Sequence, residues 1–137
     1  MIVDGNGKVL GKLAAFVAKK ALLGENVDVI NAEKVIITGS KKDVLEKYTQ
    51  RRERGTPSRG PFFPREPHLI VKRAIRGMLP YKQPKGAVAF KRVKCYKSVP
   101  EKLKDKKADD VKIKSVNDLK TKKYVTVEQL SKLLGAK

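Results

Sequence analysis

An α/β fold, with a mostly parallel central sheet flanked by helices on both faces in three layers, is what this sequence predicts, and three observations predict it. Over residues 1–52 short apolar runs alternate with helical patterns. The β-rich runs at Val27, Val29 and Ile30 and at Val35-Ile36-Ile37-Thr38 are nearly continuous instead of alternating. The chain has 137 residues, 40% of them hydrophobic, which suffices for one modest core. Strand and helix in alternation imply parallel strands joined by right-handed crossovers. Continuous apolar strands suit a sheet covered on both sides. At this length a single domain over residues 1–137 is the expectation, since domains commonly run ~100 to 150 residues and need no disulfide staples at that size.

The elements follow in order. Residues 1–4 read as a strand, Gly5-Asn6-Gly7 as a turn, and Leu10, Leu13, Ala14, Val17, Ala21 and Leu22 as a helix closed by Gly24. The two β-rich runs come next. Ser40 then serves as N-cap, with Asp43 at the third helical position, for a helix through Val44, Leu45 and Tyr48 toward Arg52. Residues 53–67 carry four prolines and two glycines, which block a helix or a central strand, so an extended loop is expected there. Leu69 to Leu79 reads as a helix ended by Pro80, Tyr81 to Gly86 as a basic loop, and Val88, Phe90, Val93 and Tyr96 as one further strand. Residues 101–123 are rich in Lys and Asp and weakly periodic. Thr126 and Gln129 form a second capping box before a short terminal helix at Leu130, Leu133 and Leu134, closed by Gly135.

The formal net charge is +19, from 33 Lys and Arg against 14 Asp and Glu, which points to a polyanionic partner. The excess is concentrated. Residues 1–40 contribute 5 basic and 4 acidic groups, residues 41–97 contribute 17 and 4, and residues 98–137 contribute 11 and 6. All eight arginines lie between Arg51 and Arg92. Arginine grips phosphate with a planar fork and stacks on bases, whereas lysine is mainly a hydrated point charge. The candidate surface is therefore Arg51, Arg52, Arg54, Arg59, Arg65, Lys72, Arg73, Arg76, Lys82, Lys85, Lys91 and Arg92, with Phe62, Phe63 and Tyr81 as stacking groups. Charge interleaved with aromatic rings is how single-stranded and irregular RNA is held. The plainer reading of Phe62 and Phe63 is that they pack on the domain, and that of lysines 102–123 is that they are solvated.

Other chemistry is poorly supported. The Gly5-Asn6-Gly7 turn with Gly11 sits where a dinucleotide fingerprint would lie, but Leu10 occupies the place of its third glycine. Its N–H groups still suit an anion, with Lys8 and Lys12 beside them. Thr38-Gly39-Ser40 lacks the spacing of an NTPase phosphate loop, while Lys41 and Lys42 at the following helix start favour a phosphate-backbone contact. A lone His68 and a lone Cys95 make neither a zinc set nor a hydrolase triad, and no disulfide. No apolar run is long enough to cross a membrane, and no signal-like N-terminus is seen, so an intracellular setting is expected.

Three stretches, V-D-G-N-G-K-V-L-G-K-L-A-A (3–15), N-A-E-K-V-I-I-T-G-S-K (31–41) and R-G-M-L-P-Y-K (76–82), resemble the ribosomal protein L13 family in order and spacing. The loop R-G-T-P-S-R-G-P-F-F-P (54–64) is similar to its archaeal and eukaryotic branch. The resemblance covers roughly residues 2–97. It implies an L13-like α/β domain that binds and helps fold large-subunit rRNA in the cytoplasmic ribosome, beside neighbouring large-subunit proteins. It implies no catalysis, cofactor, metal, membrane or small-molecule substrate. By motif it places rRNA contacts at Lys8, Lys12, Lys41, Arg76 and Lys82. A nucleotide-dependent α/β enzyme and a non-ribosomal RNA-binding regulator are the competing readings.

Overall fold

A computed structural model describes residues 1–136. Three parallel strands form the main sheet in the order β1-β2-β4: β1 (Ile2–Asp4), β2 (Val27–Ile30) and β4 (Val93–Cys95). The first crossover is α1 (Leu10–Leu22), whose buried positions Leu10, Leu13, Ala14, Val17, Ala18 and Ala21 recur every three or four residues and make one apolar face. Gly24 ends it at φ +99°, a conformation that costs glycine no Cβ clash. Val3, Val27, Val29 and Val93 pack into the principal core with that face, while Ile2 and Ile30 turn the other way. The second face is covered by Leu103, Tyr96, Val99 and Ala108, in a segment whose only regular piece is a single 3-10 turn at Glu101–Leu103.

The run at Val35 to Thr38 departs from expectation. As β3 (Ile36–Thr38) it pairs antiparallel with β5 (Tyr124–Thr126), outside the parallel sheet. The partner is a three-residue strand preceded by Lys122 and Lys123, which carries too little pattern to be recognised beforehand. Val127 follows β5 directly and donates its N–H to Val35 O (2.8 Å). Then α5 (Val127–Leu133) buries Leu130 against the core, started by the Thr126–Gln129 capping box in both of its hydrogen bonds.

Between these pieces lie α2 (Lys41–Glu53), capped by Ser40 accepting from the Asp43 N–H, and α3 (Pro67–Gly77), which contacts α1, α5 and β4. Neither helix nor strand forms between Arg54 and Glu66, where a turn closes through the Gly60 N–H on Thr56 O (2.7 Å).

The single strand expected over Val88 to Tyr96 is corrected. Residues Pro84–Lys91 are a helix, α4, and only Val93–Cys95 is strand. Val88 and Phe90 alternate with polar neighbours over too few residues to fix a period. Burial of Gly86 and Ala89, three residues apart, fits the helical one, and Pro84 in its first turn is a helix start. The lysine-rich tail also contributes more than expected: Ile113, Val125, Leu130 and Leu134 are buried, and Asp109 accepts from the Ile2 N–H while donating its own N–H to Ile2 O.

Cys95 lies in this core, and burial pushes its thiol up to about 12, with Lys72 opposing and Asp28 reinforcing the shift. The folded state keeps a proton that the unfolded chain releases from about pH 9, so this group's contribution to stability falls as pH rises from 9.0 toward 12. At pH 8 iodoacetamide should leave folded Cys95 largely unmodified and label it rapidly once denaturant unfolds the chain. Equal rates in the two states would contradict this burial.

Candidate nucleic-acid interface

Helices α2 and α3 and the irregular segment between them enclose a cleft of about 610 Å³. The residue spacing on α3 places Arg73 and Arg76, three apart, on one helical face. Arg51 comes from the last turn of α2, and Arg54 from just beyond it. Leu10 and Gly11 bring the start of α1 to the same cleft, where the helix dipole adds partial positive charge.

Each arginine but Arg54 stands over a ring: Arg51 5.3 Å from the Tyr48 centroid, Arg73 4.9 Å from Phe63, and Arg76 4.9 Å from Tyr81. Tyr48 and Phe63 meet edge to face at 5.5 Å and 71°. These contacts hold the guanidinium groups in place without neutralising them. No carboxylate lines the cleft. The two ion pairs among the described residues, Lys20–Glu25 and Glu128–Lys132, use no arginine. Burial, then the charge of Arg76, pulls the Arg73 guanidinium below its ordinary range; Arg51 adds to this and Tyr81 opposes it. Burial raises the Tyr48 hydroxyl, against the opposing charge of Arg51. Arg76 Nε is buried with no hydrogen-bond partner. Crowded guanidinium groups with no carboxylate beside them are chemically suited to an anion.

A smaller groove of about 230 Å³ adjoins, lined by Phe62, Leu69, Lys72 and Phe90 and again by Arg73 and Arg76. Lys72 Nζ lies 5.1 Å from the Phe90 centroid. The two phenylalanines therefore part. Phe63 is half-buried against Tyr48, whereas Phe62 is 69% exposed, its carbonyl accepting from Arg73 Nη1 at 3.0 Å.

The remaining sequence-derived positions lie outside these two hollows. Arg52 donates to Leu134 O (2.7 Å) and Arg92 to Ala21 O (3.1 Å), so both hold helix-terminal carbonyls. Arg65 is exposed, and its carbonyl accepts from the Ser131 hydroxyl. Lys12, Lys41, Lys42, Arg59, Lys82, Lys85 and Lys91 are exposed. Lys8 is half-buried, with Nζ 3.5 Å from Ile113 O.

The anion site expected at the Gly5–Gly7 turn is corrected, because its N–H groups are used internally. Gly5 donates to Ile30 O (2.9 Å), Asn6 to Asp4 Oδ1 (2.9 Å), Gly7 to Lys34 O (3.1 Å) and Lys8 to Gly5 O (3.1 Å). A Cβ on Gly5 would lie 2.7 Å from Val35 Cγ2, so the glycine serves close packing, not a ligand. Sequence reasoning missed Tyr48 and Phe90 as members of the aromatic set. Tyr48 lies one helical turn before Arg52 and three residues before Arg51, which is the signal that would have found it.

Compared with known proteins, residues 1–102 match the family described as Ribosomal protein L13. The chain is 47% identical to the Large ribosomal subunit protein uL13 of Methanocaldococcus jannaschii over 140 residues, covering 99% of this chain and 98% of that protein. It is 47% identical to the protein of that name from Methanococcus maripaludis over 141 residues, covering 100% and 98%. It is 42% identical to that from Archaeoglobus fulgidus over 137 residues, covering 98% and 86%.

Proposed function

The chain belongs to the ribosomal protein L13 family, and on that premise we propose that it is a structural constituent of the large ribosomal subunit that binds large-subunit rRNA and helps it fold during assembly. The chain acts as one unit, its helices gathered on one face of the sheet and not on both as the sequence led one to expect, with the basic segment about 53–67 running along RNA. The setting is the cytoplasmic ribosome, beside other large-subunit proteins, and no catalysis is part of this reading.

The observation that carries the reading is the carboxylate-free arginine cleft. RNA phosphates would supply the counter-charge that the protein withholds from Arg51, Arg73 and Arg76, releasing condensed cations as they do so. The exposed Lys12, Lys41, Lys42, Arg59, Lys82, Lys85 and Lys91 extend the positive surface beyond the cleft. Lys8, Arg52, Arg65 and Arg92 would reach RNA only alongside the internal contacts they already make or neighbour.

The test is sedimentation of a tagged copy from cell extract at low and then at high salt, with the RNA of each fraction identified. Co-migration with large subunits that survives moderate salt is the expected result. A free pool lacking RNA would overturn the reading.

A further inference from the structure

We propose that the cleft between α2 and α3 seats one unpaired base of the bound RNA, with the adjoining phosphate on Arg73 and Arg76. This rests on the RNA-binding reading above and specifies what enters the site.

A surface that only followed a phosphate backbone would need charge and little else. This cleft is walled mostly by carbon, including Leu10, Pro61, Phe63, Ile70 and Met78. Tyr81 at its rim is 41% exposed and Met78 46%, so apolar surface opens toward water at the place where the cations gather. A flat, weakly polar group covered on both sides would remove that surface from water, and a nucleobase is the flat group that arrives tethered to a phosphate. The volume, about 610 Å³, falls within the range of ~300 to 1,000 Å³ usual for ligand pockets.

The anionic half is placed by the second hollow. Arg73 and Arg76 line both cavities, so they form a ridge with the Tyr81 side on one flank and the Phe62 and Phe90 side on the other. Arg76 Nε, buried and without an acceptor, lies on that ridge. A phosphate crossing the ridge meets the guanidinium groups of Arg73 and Arg76 and leaves the attached base to drop into the larger hollow. A base held in a duplex is stacked above and below and cannot do this, so the nucleotide is unpaired. Stacking on an exposed ring and a guanidinium plane is tolerant of base identity, and the site therefore reads the presence of a free base, not its sequence.

The test compares the full-length protein's affinity for a short unstructured ribonucleotide with that for an abasic strand of the same length and charge, at matched salt. The intact strand should bind about fivefold to a hundredfold more tightly, the span usual for removal of one stacked base. Tyr81→Ala should erase that preference, and Tyr81→Phe should keep it. Equal affinity of the wild-type protein for the two strands would overturn the base seat and leave the RNA-binding reading standing. A preference that survives Tyr81→Ala would also overturn it, by placing the base elsewhere. Failure to bind either strand at low salt would instead remove the RNA-binding reading itself.

Discussion

Replacing Arg73 and Arg76 together by Gln should weaken RNA binding at low salt at least about a hundredfold, because each removes a charge-assisted hydrogen bond worth ~1.5 kcal/mol or more. The more diagnostic effect is on salt dependence. Each single-stranded phosphate contact contributes about 0.7 to the slope of log affinity against log salt, so losing two should flatten it by about 1.4. The fold should survive. Arg73 loses a hydrogen bond to Phe62 O on a surface segment, and Arg76 loses none, since its buried Nε has no protein acceptor. Arg52→Gln and Arg92→Gln should behave oppositely: their guanidinium groups hold Leu134 O and Ala21 O, so stability should fall while the slope changes less. Titrations across salt for the double variant and the two controls give the answer. An unchanged slope in the double variant would remove Arg73 and Arg76 from the phosphate contacts.

Gly86→Ala should be the most damaging of the glycine-to-alanine changes. A Cβ there would land on the carbonyl group of Pro80 and 2.8 Å from the Tyr81 nitrogen, backbone that cannot swing aside like a side chain. Helix α4 would have to back away from the turn that carries Tyr81, and α1, which packs on α4, would be disturbed with it. A cost of about 3 kcal/mol is expected, at the upper end of ordinary overpacking. Gly11→Ala is the matched control. It lies exposed in the first turn of α1 with nothing within 4 Å of an added Cβ, so helix propensity should yield a gain of roughly 0.5–1 kcal/mol. Urea unfolding of both variants would show the contrast, and a wild-type midpoint for Gly86→Ala would contradict the close approach of α4 to Pro80.

Local signals carried much of the architecture. The face of α1 was legible because six buried residues repeat at helical spacing over thirteen positions, and Ser40 and Thr126 announced their helices through hydrogen bonds confined to four residues. What depended on distant partners was not. The pairing of Ile36 with Thr126 spans ninety residues, and β5 is too short to show a period of its own. In α4 two apolar residues spaced by two imitated a strand, while Pro84, the better guide, stood before them. The cleft divides in the same way. Arginine and aromatic residues concentrated in one segment, and Arg73 and Arg76 share a helical face by spacing alone. That Arg51 and Tyr48 line the same cleft from α2 follows from where the two helices are placed in the fold, which no local pattern encodes.

The pairing of β3 with β5 also orders events in time. Synthesis runs from the N-terminus, so Ile36 emerges some ninety residues before Thr126, the strand position that will pair with it, and Val35 waits as long for the Val127 N–H that closes on its carbonyl. The loop to be closed is about two thirds of the chain, and contacts of such long sequence separation form late and slowly. Helix α2 and the arginine segment are translated within that interval, so the nascent chain presents its most cationic stretch before the strand that completes its architecture exists.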